Sequence, residues 1–131
     1  MTEKSNQRDY LVISRGQWDT ASSVEDIQAA IDEFYIWIQR CINEGTMRMG
    51  SRLDIEGATV TRSGIVMDGP YGEAKEVIGG YWIIVASSLA EASELAAMNP
   101  CIHHGIFYEI RLMDPDCAAA NKKTVETNSR S

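Results

Sequence analysis

Residues 78–98, IGGYWIIVASSLAEASELAAM, decide how the chain folds. The first nine are bulky, partly β-branched and apolar on both faces, which reads as a strand inside a sheet. Ser88 and Glu91 follow as a capping box, in which each side chain satisfies an orphan N–H at a helix start. Leu89, Ala92, Leu95 and Ala96 then form the buried stripe of a short helix, and Asn99-Pro100 stops it. Residues 105–112, GIFYEIRL, supply the next strand. Ile106, Tyr108, Ile110 and Leu112 share one of its faces; Phe107, Glu109 and Arg111 share the other.

The same unit stands upstream. Tyr10 to Ile13 is a short apolar run that reads as a central strand, followed by a loop from Arg15 to Thr20. Ser22 with Glu25 fits a second capping box. Ile27, Ile31, Phe34, Ile38 and Cys41 or Ile42 recur at spacings of three and four. Gly45 sits where a left-handed C-cap residue belongs, so the helix spans about 22–44. Met47 to Leu53 alternates as a half-buried strand, with Arg48, Gly50 and Arg52 on one face. Residues 58–67 form a hairpin that turns at Arg62-Ser63-Gly64.

The order strand, long helix, strand, hairpin, strand, short helix, strand predicts an α+β fold. The economical arrangement is a ferredoxin-like sandwich, one antiparallel sheet with two helices on one face. The other face then carries Tyr81 or Trp82, Ile83 or Ile84, and Phe107. That is more apolar surface than a monomer normally exposes. A homodimer that joins two such faces back to back, a dimeric α/β barrel, is expected.

At 131 residues the chain is one domain with a core of its own. Residues 1–8 read as a frayed N-terminus, 9–113 as the domain, and 114–131 as a disordered tail of small and polar residues. A net charge of -7 argues against nucleic acid and anionic membranes as partners, because both select positive charge. No run of about 18 apolar residues exists to span a membrane. Cys41, Cys101 and Cys117 are odd in number and irregular in spacing, so free thiols in a reducing cytoplasm are expected. The five methionines after Met1 read as core filler. No metal site and no cofactor is expected, since CxxC, HExxH, GxGxxG, GxSxG and Walker patterns are all missing.

The most distinctive stretch is DGPYGEAKEVIGGY at residues 68–81. It resembles the hallmark of the DGPF proteins, a branch of the YCII-like superfamily, with Tyr71 where that pattern has Phe. Asp68, Gly69, Pro70, Glu73, Lys75, Glu76, Gly79, Gly80 and Tyr81 match in place, and the order of elements agrees over about residues 9–113. The resemblance implies a bacterial cytoplasmic protein with a ferredoxin-like fold that dimerises into an α/β barrel, and no established activity for most members. It also implies, for relatives in the wider superfamily, a His–Asp pair in a cleft. The family's histidine lies on the first helix, where this sequence has Phe34, Tyr35 and Trp37 and no histidine.

The motif itself admits two readings. Asp-Gly-Pro is turn chemistry, and Gly79-Gly80 lets another backbone pass closely. Alternatively, Asp68 is a general acid or base at the lip of a cleft, with Tyr71 or His104 as proton donor and Glu73, Lys75 and Tyr81 around the substrate. His103 and His104 precede the last strand and point in opposite directions, either as surface histidines or with one as a proton shuttle. Arg111 either pairs with Glu109 on the same strand face or anchors a substrate carboxylate. Three functions remain open at this stage. One is a YCII-like dimer of undetermined activity with a small-molecule cleft near Asp68. Another is a cofactor-independent acid/base enzyme, an isomerase or lyase, on a small organic acid or phenolic compound. The last is a non-catalytic dimer that senses a small anionic or aromatic ligand or binds a partner.

Overall fold

Tyr10, Val12, Trp82, Ile84 and Ala86 alternate with neighbours that are half-buried or exposed, and this alternation builds the sheet. The computed structural model describes residues 6–54, 56–68 and 78–114. Its elements run β1 (Arg8–Gly16), α1 (Val24–Asn43), β2 (Met47–Arg52), β3 (Gly57–Thr61), β4 (Gly64–Asp68), β5 (Gly80–Ala86), α2 (Leu89–Ala96) and β6 (Ile106–Leu112). Four strands form one antiparallel sheet in the order β2-β5-β1-β6, and β3 with β4 forms a separate ribbon. The fold is the expected α+β ferredoxin-like one. β1 is longer than the apolar run Tyr10–Ile13 suggests, because Ser14 to Gly16 continue the ladder opposite Tyr108 to Ile106.

Register settles which side chains face which way. Val12 pairs with Trp82 and Ile110, and Tyr10 pairs with Ile84 and Leu112, all on the helix side. Leu11 pairs with Ile83 and Ile13 with Tyr81, on the opposite side. The face without helical cover therefore carries Tyr81, Ile83 and Phe107, whereas Trp82 and Ile84 belong to the core. Trp37, Ile38 and Cys41 of α1 and Ala92 and Ala96 of α2 close that core. Leu89 is 53% exposed and takes no part in it.

The helix ends show where adjacent residues compete. Both Ser22 and Ser23 have an acid three residues on. The N-cap is Ser23, whose hydroxyl accepts from the Asp26 N–H at 3.0 Å, and the helix starts one residue later than the Ser22 reading. Ser22 is engaged elsewhere, with its Oγ 2.9 Å from His104 Nδ1. Gly45 is left-handed at φ +83°, as expected of a residue just past a helix. Ser88 caps α2 through the Glu91 N–H, while the Glu91 carboxylate reaches past Ser88 to the N–H and hydroxyl of Ser87.

A bulge in β2 corrects the simple alternation. Met47 pairs with Ile84 and Arg48 with Ile83, but Ser51 pairs with Tyr81 and Arg52 with Gly80. One extra residue lies between them, at Met49-Gly50. Arg48 and Arg52 consequently lie on opposite faces, not on the same one. Close backbone approach explains the glycines here: a Cβ on Gly50 would lie 2.1 Å from the Tyr81 carbonyl oxygen, and one on Gly80 would lie 2.8 Å from the Ser51 carbonyl oxygen. The methionines also differ from expectation. Met47 is 2% exposed and fills the core, but Met49, Met67, Met98 and Met113 are exposed.

Candidate functional site

Ile31 and Phe34 lie on the inner stripe of α1 but are only half-buried. Here the helix stands off the sheet, and a cleft of about 560 Å³ opens against the ends of β1 and β2 and the start of β5. That size is ordinary for a small-molecule pocket. Six aromatic residues line it: Trp18, Phe34, Tyr35, Tyr81, Trp82 and Tyr108. Phe34 and Trp82 meet at 5.3 Å between ring centroids, and Trp82 and Tyr108 at 5.6 Å, both tilted. Such tilted pairs are favourable beyond the area they bury.

The polar groups of the cleft are few. Ser14, Gln17 and Ser51 contribute to its wall, and Arg52 stands at it as an exposed side chain. The bulge in β2 places Arg52 there, opposite Gly80. Arg52 forms no ion pair among the described residues, in contrast to Arg15, Arg48 and Arg111. Deeper in, Tyr108 lies beside Cys101 in the lining, and the Cys101 thiol lies 3.7 Å from the Ala30 carbonyl that accepts from it. Burial pushes the Tyr108 hydroxyl well above its usual range and raises the Cys101 thiol, so both stay neutral at physiological pH. Among the described lining residues there is no carboxylate and no histidine.

Buried, neutral thiols make a chemical prediction. Burial also raises the Cys41 thiol. Cys41 and Cys101 are therefore expected to react with iodoacetamide at pH 8 at least about tenfold slower in the native protein than in guanidinium, since the thiolate is the nucleophile and both sulfurs are covered. Peptide mass spectrometry of labelled samples measures each site separately. Fast labelling of Cys101 in the native state would show that the cleft floor opens.

The residues singled out from sequence fall in different places. Asp68 ends β4 with its backbone opposite Gly57, and its side chain is outside what the structure describes. Tyr71, Glu73 and Lys75 lie outside the described residues. Tyr81 borders the cleft, although its register turns its side chain to the sheet face away from the helices. His104 ends the 3-10 helix Pro100–His104, bonded to Ser22, while its carbonyl accepts from the Asp19 N–H at 2.8 Å. These bonds tie the start of α1 to the segment before β6. Arg111 lies on the sheet face away from the helices. Its Nε and guanidinium contact Glu109 at 2.7 and 2.6 Å, and Arg15 bonds the same carboxylate. The two arginines hold the Glu109 carboxyl below its usual range, Arg111 most strongly. The sequence pattern groups Arg52 with Arg48 on one face, where the two could add positive potential to a cleft or form a solvated face. The bulge, which period-two alternation cannot reveal, separates them and places Arg52, not Arg48, at the cleft.

No helix is long and apolar enough to cross a membrane among the described residues. Nor does any group of three or more His, Cys, Asp or Glu gather there to hold a metal ion. A comparison with curated proteins gives no match. The family model of the YCII-related domain matches residues 10–115, from the third residue of β1 to just past β6. The chain thus belongs to the YCII-related family.

Proposed function

We propose that this chain is a homodimeric binding protein for a small aromatic compound carrying a negative charge, held in the cleft between α1 and the sheet. The observation that carries this reading is the cleft's lining: aromatic residues around about 560 Å³, with Phe34, Trp82 and Tyr108 in ring contact, and Arg52 as the charged residue among the described lining residues. Aromatic walls favour a flat ring, and a guanidinium recognises a carboxylate or phenolate through paired hydrogen bonds. Acid/base catalysis without a cofactor needs a group that titrates near neutral pH. The described wall supplies none, because burial keeps Cys101 and Tyr108 neutral and no carboxylate or histidine lines it. Binding is therefore favoured over turnover. The uncovered sheet face supports the dimer, and the buried free thiols Cys41 and Cys101 fit a reducing cytoplasm.

The test is a thermal-shift panel of phenols and aromatic carboxylates on wild type, Arg52→Ala and Ile31→Trp. A ligand at 100 times its Kd adds about 2.7 kcal/mol to folding, which moves the midpoint by several degrees. Ile31→Trp fills the cleft and should abolish the shift. Arg52→Ala should weaken aromatic carboxylates by roughly tenfold, the loss of one charge-assisted contact of about 1.4 kcal/mol. No shift with any compound, or an undiminished shift in Ile31→Trp, overturns the reading.

A further inference from the structure

The ribbon of β3 and β4 is an amphipathic object with no described helix or strand under its apolar side. Its register pairs Ala58 with Met67 and Val60 with Ile65, so these four side chains share one face. Thr59, Thr61 and Val66 share the other. Val60, Ile65 and Met67 are 72%, 67% and 69% exposed. The ribbon approaches no other described helix or strand. A two-stranded hairpin alone is at best marginally stable in water, and a face of four apolar residues is not what a solvated ribbon carries.

A second copy of this chain is the occupant that the rest of the molecule favours. The sheet face without helices is also uncovered by any described helix or strand, with Leu11, Ile13, Ile83 and Val85 half-buried and Tyr81 and Phe107 at 39% and 46% exposure. At most about half of each of these six side chains, the largest of roughly 200 Å², remains to be covered. This falls short of the roughly 800 Å² per partner of a standard interface. The ribbon's apolar face supplies further area of the same character on the same chain. Its four-residue link from Arg52 reaches only about 14 Å and leaves from β2, an edge strand, so the ribbon begins close to the border of the sheet.

We infer that the β3–β4 ribbon is an arm whose apolar face packs on a second copy of this chain, which lays its own arm reciprocally on the first. A two-fold arrangement covers both arms at once. The arm also springs from the cleft: Arg52 precedes it, and the Leu53 N–H donates to the Gly79 carbonyl at 2.9 Å, beside the lining residue Gly80. Dimer formation therefore fixes the strand ends that hold Arg52 in place. This inference rests on the homodimer reading.

The experiment is sedimentation of the full chain over a concentration series, as wild type, Val60→Lys/Ile65→Lys, Thr59→Lys/Thr61→Lys and Ile83→Lys. Circular dichroism checks that each is folded. The arm variant is expected to raise the dimer dissociation constant at least tenfold, and the variant on the opposite ribbon face to leave it unchanged. A wild type that stays monomeric at all concentrations overturns the arm and the dimer together. A dimer that Ile83→Lys dissociates but the arm variant does not overturns the arm alone. So does equal weakening by both ribbon-face variants.

Discussion

Gly50→Ala is expected to destabilise the protein at the upper end of the roughly 1–3 kcal/mol that overpacking costs, lowering the thermal midpoint by about 10 °C. An added Cβ would lie 2.1 Å from the Tyr81 carbonyl oxygen and 2.6 Å from its ring. Neither neighbour gives way easily. The oxygen is backbone of β5, a strand paired on both sides, with β1 and with β2. Loss of the bulge relieves this clash, and that has a second consequence. Slipping β2 by one residue moves its later side chains to the other face. Arg52 would leave the cleft. Gly50→Ala should thus lose the response to aromatic carboxylates as well as stability, and Gly45→Ala gives the comparison. Gly45 meets nothing within 4 Å, so its substitution is strained only through its positive φ and leaves the bulge intact. Equal stability of Gly50→Ala and wild type in urea would show that β2 yields at this point.

The elements were legible in the sequence because each carries its own local signal. The strand before Ser88, the helix after it, the stripe of α1 and the turn at Arg62-Ser63-Gly64 all rest on neighbours along the chain. The fold follows from their order. What the sequence withheld depends on partners across space. The bulge at Met49-Gly50 is defined only by which β5 residue each β2 residue faces. The choice between Ser22 and Ser23 as N-cap is set by His104, some 80 residues away, which occupies Ser22. Tyr81 and Trp82 are equally bulky, and only the pairing of Val12 with Trp82 assigns one to the open face and the other to the core. The cleft is a gap between Ile31, Phe34 and the sheet, and periodicity marks such positions as core without saying that the packing stops short. The conspicuous motif gave the family and contributed Gly79, Gly80 and Tyr81 to the cleft wall. Its central residues, from 69 to 77, are outside the described structure.

Trp82 joins the core to the cleft, and its substitution separates two contributions. Trp82→Ala is expected to cost about 3–5 kcal/mol, the usual toll of deleting a large buried ring. The ring is 6% exposed and sits between Phe34 and Tyr108. Against a total stability of roughly 5–15 kcal/mol, that leaves a protein near its folding threshold. Trp82→Phe is expected to cost clearly less than Trp82→Ala, because it keeps an aromatic ring in the site and leaves a smaller cavity. The indole adds a particular reason. Its Nε1 is buried and has no hydrogen-bond partner among the described residues. Burying an unsatisfied donor costs about 1–3 kcal/mol, so its removal offsets part of the packing lost with the smaller ring. Urea midpoints of the two variants measure the difference directly. A phenylalanine variant as unstable as the alanine variant would show that the indole nitrogen is hydrogen-bonded in the native state. A stable phenylalanine variant that also keeps its ligand shift would mean that ring shape, and not the N–H, is what the cleft presents to an aromatic guest.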